Sequence, residues 1–364
     1  MFIVTLLKFL EMDVFFLILS LILIFFNLLP FVKNQHWVFR VPEFIKIQLL
    51  ILQIIASIGL FVFTDRKNWF WFVLIFQIAL IIYNIYLLAR FTKFYKREKK
   101  SITDLQSFKI ISANIYQFNT NFKKFKEFIR SENPDFFVTI ESNKDWELEM
   151  RSLENDYPYT EKITLENTYG MHLYAKIPFQ EIKTHYFIAN DIPSIEAHFK
   201  TKDGKGFVVF CVHPPPPSPT EEETSKERDG DLMCIAKRVK EINKPTLVVG
   251  DFNTVSWSRI ADLFRKNSGL IDGRNGRGIL ASYHAKYWFF RAPLDLVFHS
   301  TSIIIKELRL LGYIGSDHFP ICCVFNICSS VINNTIETTT KEEDEETDEL
   351  IYNGKKENSD NRSK

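Results

Sequence analysis

A chain of 364 residues has room for two ordinary domains, and its formal net charge of +1 hides three zones of different character. Residues 1–100 are apolar and aromatic with basic punctuation, the middle is mixed like a soluble globular domain, and the end from about Ser329 is polar and acidic. Five cysteines give no complete disulfide set and no zinc-ligand spacing; Cys211, Cys322 and Cys323 sit in apolar runs and read as reduced core residues.

Three apolar runs come first, at residues 14–32, 45–63 and 69–88. Each has the length a helix needs to cross roughly 30 Å of hydrocarbon. Gln48, Gln53, Gln77 and Asn84 interrupt the second and third without forbidding insertion. Trp37, Trp69 and Trp71 stand near the ends, as interfacial aromatics do. A cleavable signal peptide is the weaker reading, because no small-residue cleavage site follows the first run. Residues 1–100 are therefore expected to be a membrane anchor of three transmembrane helices, with the bilayer as partner. The basic stretch "RFTKFYKREKK" at 90–100 and the basic loop 33–46 fall on one side, leaving Arg66 and Lys67 on the other. The charge bias slightly favours the cytoplasmic face of a bacterial inner or plasma membrane for the domain that follows.

From Phe108 onward strands and helices alternate. "FKIISANI" reads as a strand ending at Asn114. "NFKKFKEFIRSENP" carries Phe122, Phe125, Phe128 and Ile129 at helical spacing and stops at Pro134. "DFFVTIES" is a buried strand ending at Glu141. "HFKTKDGKGFVVFCVH" reads as a hairpin around Asp203-Gly204 whose second strand ends at His213. A helix with an acidic first turn follows in "TEEETSKERDGDLMCIAKRVKEIN". Then come a strand at 246–249, a short helix at 258–266, and strands in "LDLVFHS", "SIIIKELRL" and "GSDHFPICCVFNI". The tail 329–364 has few core formers and many like charges, and is expected to be disordered.

Asn114, Glu141, His213, Asp251, Asn253, Asp295, Asp317 and His318 all fall at or beside strand ends. Each alone has an ordinary explanation: a turn former, a solvated carboxylate, or a cap for the helix after Ser256. The set does not. Strands packed in a sandwich bring their ends to one rim and hold polar groups there rigidly.

"ANIYQFN", "PDFFVTIES", "VHPPPPSP", "VVGDFN", "PLDLVFHS" and "GSDHFP", in this order, resemble the endonuclease/exonuclease/phosphatase superfamily over about residues 108–327. Within it the chain looks most like bacterial membrane-anchored members, including teicoplanin-resistance (VanJ-like) proteins. The resemblance implies a four-layer α/β sandwich of two mostly antiparallel sheets flanked by helices, here at residues 101–328. It implies that Asn114, Glu141 and Asp317 serve the divalent metal. By the same resemblance Asp251 and Asn253 orient water and phosphate, Asp295 orients His318, and His213 is the second histidine of DNase- and sphingomyelinase-like members. The sequence departs from the pattern at Tyr116, where some members are acidic, and at Lys176 of "YAKIP", where many have arginine. The envelope chemistry of the close relatives pulls toward an extracytoplasmic domain.

Phosphoester hydrolysis needs a neutralised phosphate, an activated water and a stabilised leaving oxygen. Glu141 and Asn114 fit the sparse oxygen ligation of Mg²⁺, with Mn²⁺ as the alternative ion. The expected activity is hydrolysis of a phosphodiester, a phosphomonoester or a lipid pyrophosphate at the membrane. Nucleic-acid cleavage and a non-catalytic binding role are the alternatives. Between residues 101 and 330 lysine and arginine do not outnumber aspartate and glutamate, which disfavours a phosphate-backbone partner. The "HPPPPSPT" loop, Trp257 and the "YWFF" run at 287–290 are read as a stiff, aromatic-lined mouth, or as aromatics packed beneath the loop. Nothing in the sequence fixes an oligomeric state.

Overall fold

The computed structural model describes residues 2–64, 68–95, 106–328 and 337–357. Arg66, Lys67 and the basic residues 96–100 lie outside them.

Helices α1 (Phe2–Leu28), α3 (Lys46–Phe63) and α4 (Asn68–Ala89) carry the three apolar runs, with the one-turn α2 (Val41–Phe44) between the first two. Three stretches, Glu11–Phe31, Lys46–Phe63 and Trp69–Ala89, are long and apolar enough to cross a membrane. Of the polar residues that interrupt the runs, Gln53, Gln77 and Asn84 turn inward among the helices. Gln53 Nε2 donates to Gln77 Oε1 at 3.1 Å, Gln77 Nε2 to the Ser20 carbonyl at 3.1 Å, and Asn84 Nδ2 to Asn27 Oδ1 at 2.8 Å. In an apolar surround such amide pairs hold helices together and fix which faces meet.

The rest is a sandwich. Strands β1 (Ser107–Asn114), β2 (Phe136–Ile140), β3 (Tyr159–Ile163), β4 (Met171–Ala175), β11 (Ile303–Leu310) and β12 (Ile321–Ile327) form one sheet, in the order β11-β12-β1-β2-β4-β3. Strands β5 (Glu181–His185), β6 (Ser194–Lys200), β7 (Gly206–Val212), β8 (Thr246–Asp251), β9 (Ile271–Asp272) and β10 (Asp295–His299) form the other, in the order β5-β6-β7-β8-β10-β9. Only β1 with β2 and β7 with β8 pair in parallel; the other neighbours are antiparallel. Both faces of the innermost strands β1, β2, β7 and β8 are largely apolar, as a strand buried on two sides requires. Phe108 and Ile110 of β1 face Phe207, Val209 and Val249 between the sheets. Ile111 and Ala113 face outward, against Phe125 and Ile129 of α5 (Phe122–Glu132) and Trp146 of α6 (Lys144–Met150). On the far side Phe210, Val248 and Phe298 pack on Leu232 of α7 (Lys226–Ile242) and on Leu263 and Phe264 of α8 (Arg259–Ser268). The four-layer α/β sandwich is as expected. The expected helix at 220–243 starts later, because Pro217 and Pro219 precede a turn and Ser225 flanks the first helical residue.

The expected disordered tail needs correction over 341–356. Residues Lys341–Lys356 form helix α9, capped by a reciprocal bond pair between Thr340 and Glu343. Its acidic residues meet basic partners far off in sequence: Glu343 binds Arg259 and Lys266, and Glu346 binds Arg259. Leu350 and Ile351 pack on the α7–α8 cluster. Local like charge argued for disorder, and non-local pairing overrides it. Residues 329–336 and 358–364 lie outside the described residues.

The α7–α9 contact depends on two glycines. A Cβ on Gly354 would lie 2.8 Å from the Lys226 carbonyl oxygen and 3.2 Å from Gly230 Cα. Gly354→Val is therefore expected to lift α9 from α7 at a cost of roughly 1–3 kcal/mol. Amide hydrogen exchange over 341–356 should accelerate; unchanged protection would show that α9 is not held by this contact.

Candidate active site

Each expected side chain reaches the rim through a strand end. Parallel pairing sets Asn114 of β1 opposite Ile140 of β2, so Glu141 follows directly beside it. Antiparallel pairing sets Asp295, first in β10, opposite Asp251, last in β8. His213 follows β7, whose Val212 lies beside Gly250. That neighbour explains the glycine: a Cβ on Gly250 would lie 2.0 Å from the Val212 carbonyl oxygen. Asp317 and His318 precede β12.

The side chains form one network. Asn114 Nδ2 donates to Glu141 Oε1 at 2.8 Å and to Asp251 Oδ2 at 3.2 Å. His318 lies between two carboxylates, with Nδ1 2.8 Å from Asp295 Oδ2 and Nε2 3.5 Å from Asp251 Oδ2. The Asn253 backbone N–H donates to Asp251 Oδ1 at 3.0 Å, and its side-chain Nδ2 to the Pro214 carbonyl at 2.8 Å. Thus Asn253 couples β8 to the proline loop after His213. His213 is buried with its ring 5.5 Å from that of Tyr169, and among the described residues its Nδ1 has no hydrogen-bond partner. Asp317 is half-buried; its carboxylate accepts from Ser316 Oγ at 3.3 Å, and its charge bears on Glu141 and His318.

The electrostatics follow from burial and charge pairing. Burial opposes a charge on His318, but the carboxylates of Asp295, Asp251 and Asp317 outweigh it and raise its pKa to about 10. Burial lowers His213 to about 4, so this imidazole is neutral near pH 7. Burial pushes Asp251 upward against the pull of the His318 charge. Glu141 is raised to about 7, chiefly by burial, with hydrogen bonds from Gln117 and Asn114 opposing. Both of its oxygens accept from neutral amide donors, Oε1 from Asn114 and Oε2 from the Gln117 N–H at 3.0 Å.

Among the described residues no group of three or more His, Cys, Asp or Glu has the geometry to hold a metal ion. The fit for an ion therefore rests on Glu141, a carboxylate without a cationic hydrogen-bond partner, together with the oxygens of Asn114 and Asp317. That donor set is all oxygen and sparse, which suits a hard ion that keeps several of its waters.

Several residues of the site were missed in the sequence. Arg228 is almost fully buried in the first turn of α7, pairs with Asp229 at 2.6 Å and donates to the Asn253 carbonyl at 3.0 Å. Gln117 binds Glu141 through its backbone and holds Thr168 and Glu166 through its side chain. The Tyr283 ring lies 4.9 Å from the His318 ring, tilted by 48°, and Ser282 Oγ accepts from the Asp295 N–H. Arg228 and Gln117 sit in polar stretches that read as solvated, and no local pattern marks them. The two departures resolve differently. Tyr116 turns its exposed ring toward Phe118, while its N–H donates to Asn114 Oδ1. Lys176 bonds Asn133 and lies over Tyr157, away from the network.

The Endonuclease/Exonuclease/phosphatase family pattern matches residues 111–318, more than half of the chain. The chain belongs to this family. Its members are hydrolytic phosphoesterases and nucleases, generally dependent on a divalent metal. No curated protein matches the sequence. The fold is similar to that of D. rerio TDP2 complexed with single-strand DNA product, with a TM-score of 0.52 and 16% identity over 61% of this chain and 99% of that one. It is also similar to a family protein from Bacteroides thetaiotaomicron (TM-score 0.50, 18% identity, 62% of this chain and 99% of that one). The human Nocturnin catalytic domain with bound sulfate is comparable (TM-score 0.50, 15% identity, 62% of this chain and 96% of that one). At these identities the likeness speaks for the fold alone.

In metal-free protein His318 should keep its proton through neutral pH. Its pKa is raised above the ordinary 6.5, so its stabilisation is complete below that value and is lost as pH rises through about 10. Asp295→Asn should lower the midpoint. A ¹⁵N-imidazole NMR titration reads both, and a parental midpoint near 6.5 would contradict the charge pairing.

Proposed function

We propose that this chain is a membrane-anchored, divalent-metal-dependent phosphoesterase of the VanJ-like branch. In this reading it hydrolyses a phosphodiester, phosphomonoester or lipid pyrophosphate at the bilayer. The observation that carries the reading is the buried Asp251 carboxylate, set between the Asn114 amide and a His318 imidazole that Asp295 holds in place.

Asp251 accepts the proton of the attacking water. Its raised pKa brings it closer to neutral pH, where a general base works best. Asn253 uses one amide hydrogen on Pro214 and offers the other to a phosphoryl oxygen. His318, positively charged, stabilises the negative charge of the phosphoryl group and is kept oriented through its Nδ1 by Asp295. Glu141, with Asn114 and Asp317, would hold Mg²⁺ or Mn²⁺, and such an ion supplies neutralisation of the phosphoryl oxygens. His213, neutral and buried, stands beside Tyr169 at the rim.

Purified protein should hydrolyse a phosphoester with Mg²⁺ present, and an assay panel of diester, monoester, lipid pyrophosphate and oligonucleotide identifies the class. Asp251→Asn should lower kcat by about 10²–10⁴-fold. Glu141→Gln should shift the Mg²⁺ titration to higher concentration. Parental rates in the first variant, with an unchanged metal curve in the second, would sink the assignment.

The anchor loop supports one topology. Trp37 N donates to the Glu223 carbonyl, the Ser225 N–H to the Gln35 carbonyl and Trp257 Nε1 to the Glu43 carbonyl. The basic loop 33–46 and the catalytic domain therefore share a side, and the charge bias favours the cytoplasm. A folding-reporter fusion should fluoresce, and an alkaline phosphatase fusion should stay inactive. The reverse pair of results would put the domain outside.

A further inference from the structure

The loop between Ala285 and Arg291 is apolar where a soluble surface should not be. Trp288 is 76% exposed, Phe290 56%, Tyr287 53% and Phe289 47%. Four consecutive exposed aromatics form a patch that water disfavours and that marks a contact surface. Its position identifies what it contacts. The Phe289 carbonyl accepts from Gln48 Nε2 at 2.6 Å. Gln48 is the third residue of α3, inside the apolar stretch Lys46–Phe63. At 1.5 Å per residue that is about 3 Å beyond the start of the helix. The aromatics thus stand at the depth where the second span begins. Phe94 and Tyr95, just past the end of α4 on the same side, are also exposed. Trp, Tyr and Phe at such a level are the residues that partition into the membrane–water interface.

The same loop is fastened to the site. The Tyr283 N–H donates to the Ala292 carbonyl at 3.0 Å, and the Ala285 N–H to the Asp317 carbonyl at 2.6 Å. The Arg291 guanidinium lies 4.9 Å from the Phe319 ring centroid, and the Tyr283 ring meets the His318 ring at a tilt. Beneath it Val255, Trp257, Ala292 and Leu294 pack with Ile47 and Leu50 of α3 and with Leu88 of α4. Both loops that flank the catalytic pair, the one after Asp251 and the one before Asp295, therefore rest on the membrane end of the anchor.

We propose that residues 287–290 are an aromatic wedge that enters the interface of the leaflet where α3 begins, and that the site takes a phosphoester carried by a lipid of that leaflet in preference to a dissolved one. The wedge stands on geometry alone; the substrate class rests on the phosphoesterase reading above. A lipid held at the interface presents its phosphate to a site mounted at the same level, and the wedge fixes that level.

The test uses the full chain in vesicles of phosphatidylcholine and phosphatidylglycerol. The six tryptophans obscure one another, so Trp288 is read as the difference between parent and Trp288→Phe. That difference emission should be quenched by lipids brominated near the head of the acyl chain and protected from aqueous iodide. Quenching by iodide and not by bromolipid overturns the wedge, whatever the activity. Trp288→Glu and Phe290→Glu should each lower the ratio of kcat/KM on a vesicle phospholipid to that on a soluble nitrophenyl phosphodiester by about tenfold, the equivalent of ~1.4 kcal/mol. An unchanged ratio overturns the substrate preference. A parent inactive on every ester, with Trp288 still quenched by bromolipid, removes the phosphoesterase reading and with it the substrate class, and upholds the wedge.

Discussion

The rim of this sandwich depends on one buried cation standing between carboxylates. Asp251 and Asp295 face each other across a strand pair, and both are buried. Two carboxylates so placed would repel, and burial pushes the pKa of Asp251 upward. His318 removes the conflict by bonding Asp295 through Nδ1 and facing Asp251 with Nε2. Its proton is held because the acids surround it, and its charge pulls against the upward push of burial on Asp251. Removing either partner of such a buried pair leaves an uncompensated charge, which is the costly outcome. The strand register, the Gly250 close approach and the Ser282 bond to Asp295 all serve to keep these three groups at their separations.

Glu141 sits outside that balance. Its oxygens are bonded to neutral amides and not to a cation. The rim is thus divided. One half is electrostatically closed by His318, and the other has a carboxylate with spare acceptor capacity. Asn114 spans the two halves, giving its amide to both Glu141 and Asp251. A change in charge at Glu141 would therefore reach Asp251 through a single side chain.

How much of this the sequence disclosed depends on the range of the signal. The eight rim residues were legible because each lies at or beside one end of an apolar run, and strand ends are a local pattern. The three apolar helices were legible for the same reason. Strands β3 and β5 were not, since both are edge strands with the polar sequences YTEKI and EIKTH. Arg228 and Gln117 were invisible because their partners, the Asn253 carbonyl and Glu141, are distant in sequence. Helix α9 failed in the opposite sense: its composition signalled disorder, and the compensating Arg259 and Lys266 lie 77–87 residues away. Charge pairing across such distances leaves no trace in a local window.

The same non-local logic ties the apolar helices to the rim. The aromatic run 287–290 admitted two readings in the sequence, a mouth or a packed underside. The structure separates them: the run itself is exposed, while Trp257 is the aromatic that packs beneath, bonded to the Glu43 carbonyl and set against Phe91. Arg228 adds a second tie, since it grips the Asn253 carbonyl and pairs with Asp229, which accepts from Gln35 of the anchor loop at 3.1 Å. The loop carrying Asp251 and Asn253 is thus gripped from the anchor side at two points. An anchor that served only as a tether would need no such contacts. In the membrane-anchored reading proposed above, holding the loop of Asp251 and Asn253 against one end of two apolar helices makes the height of the site above a bilayer a property of the fold.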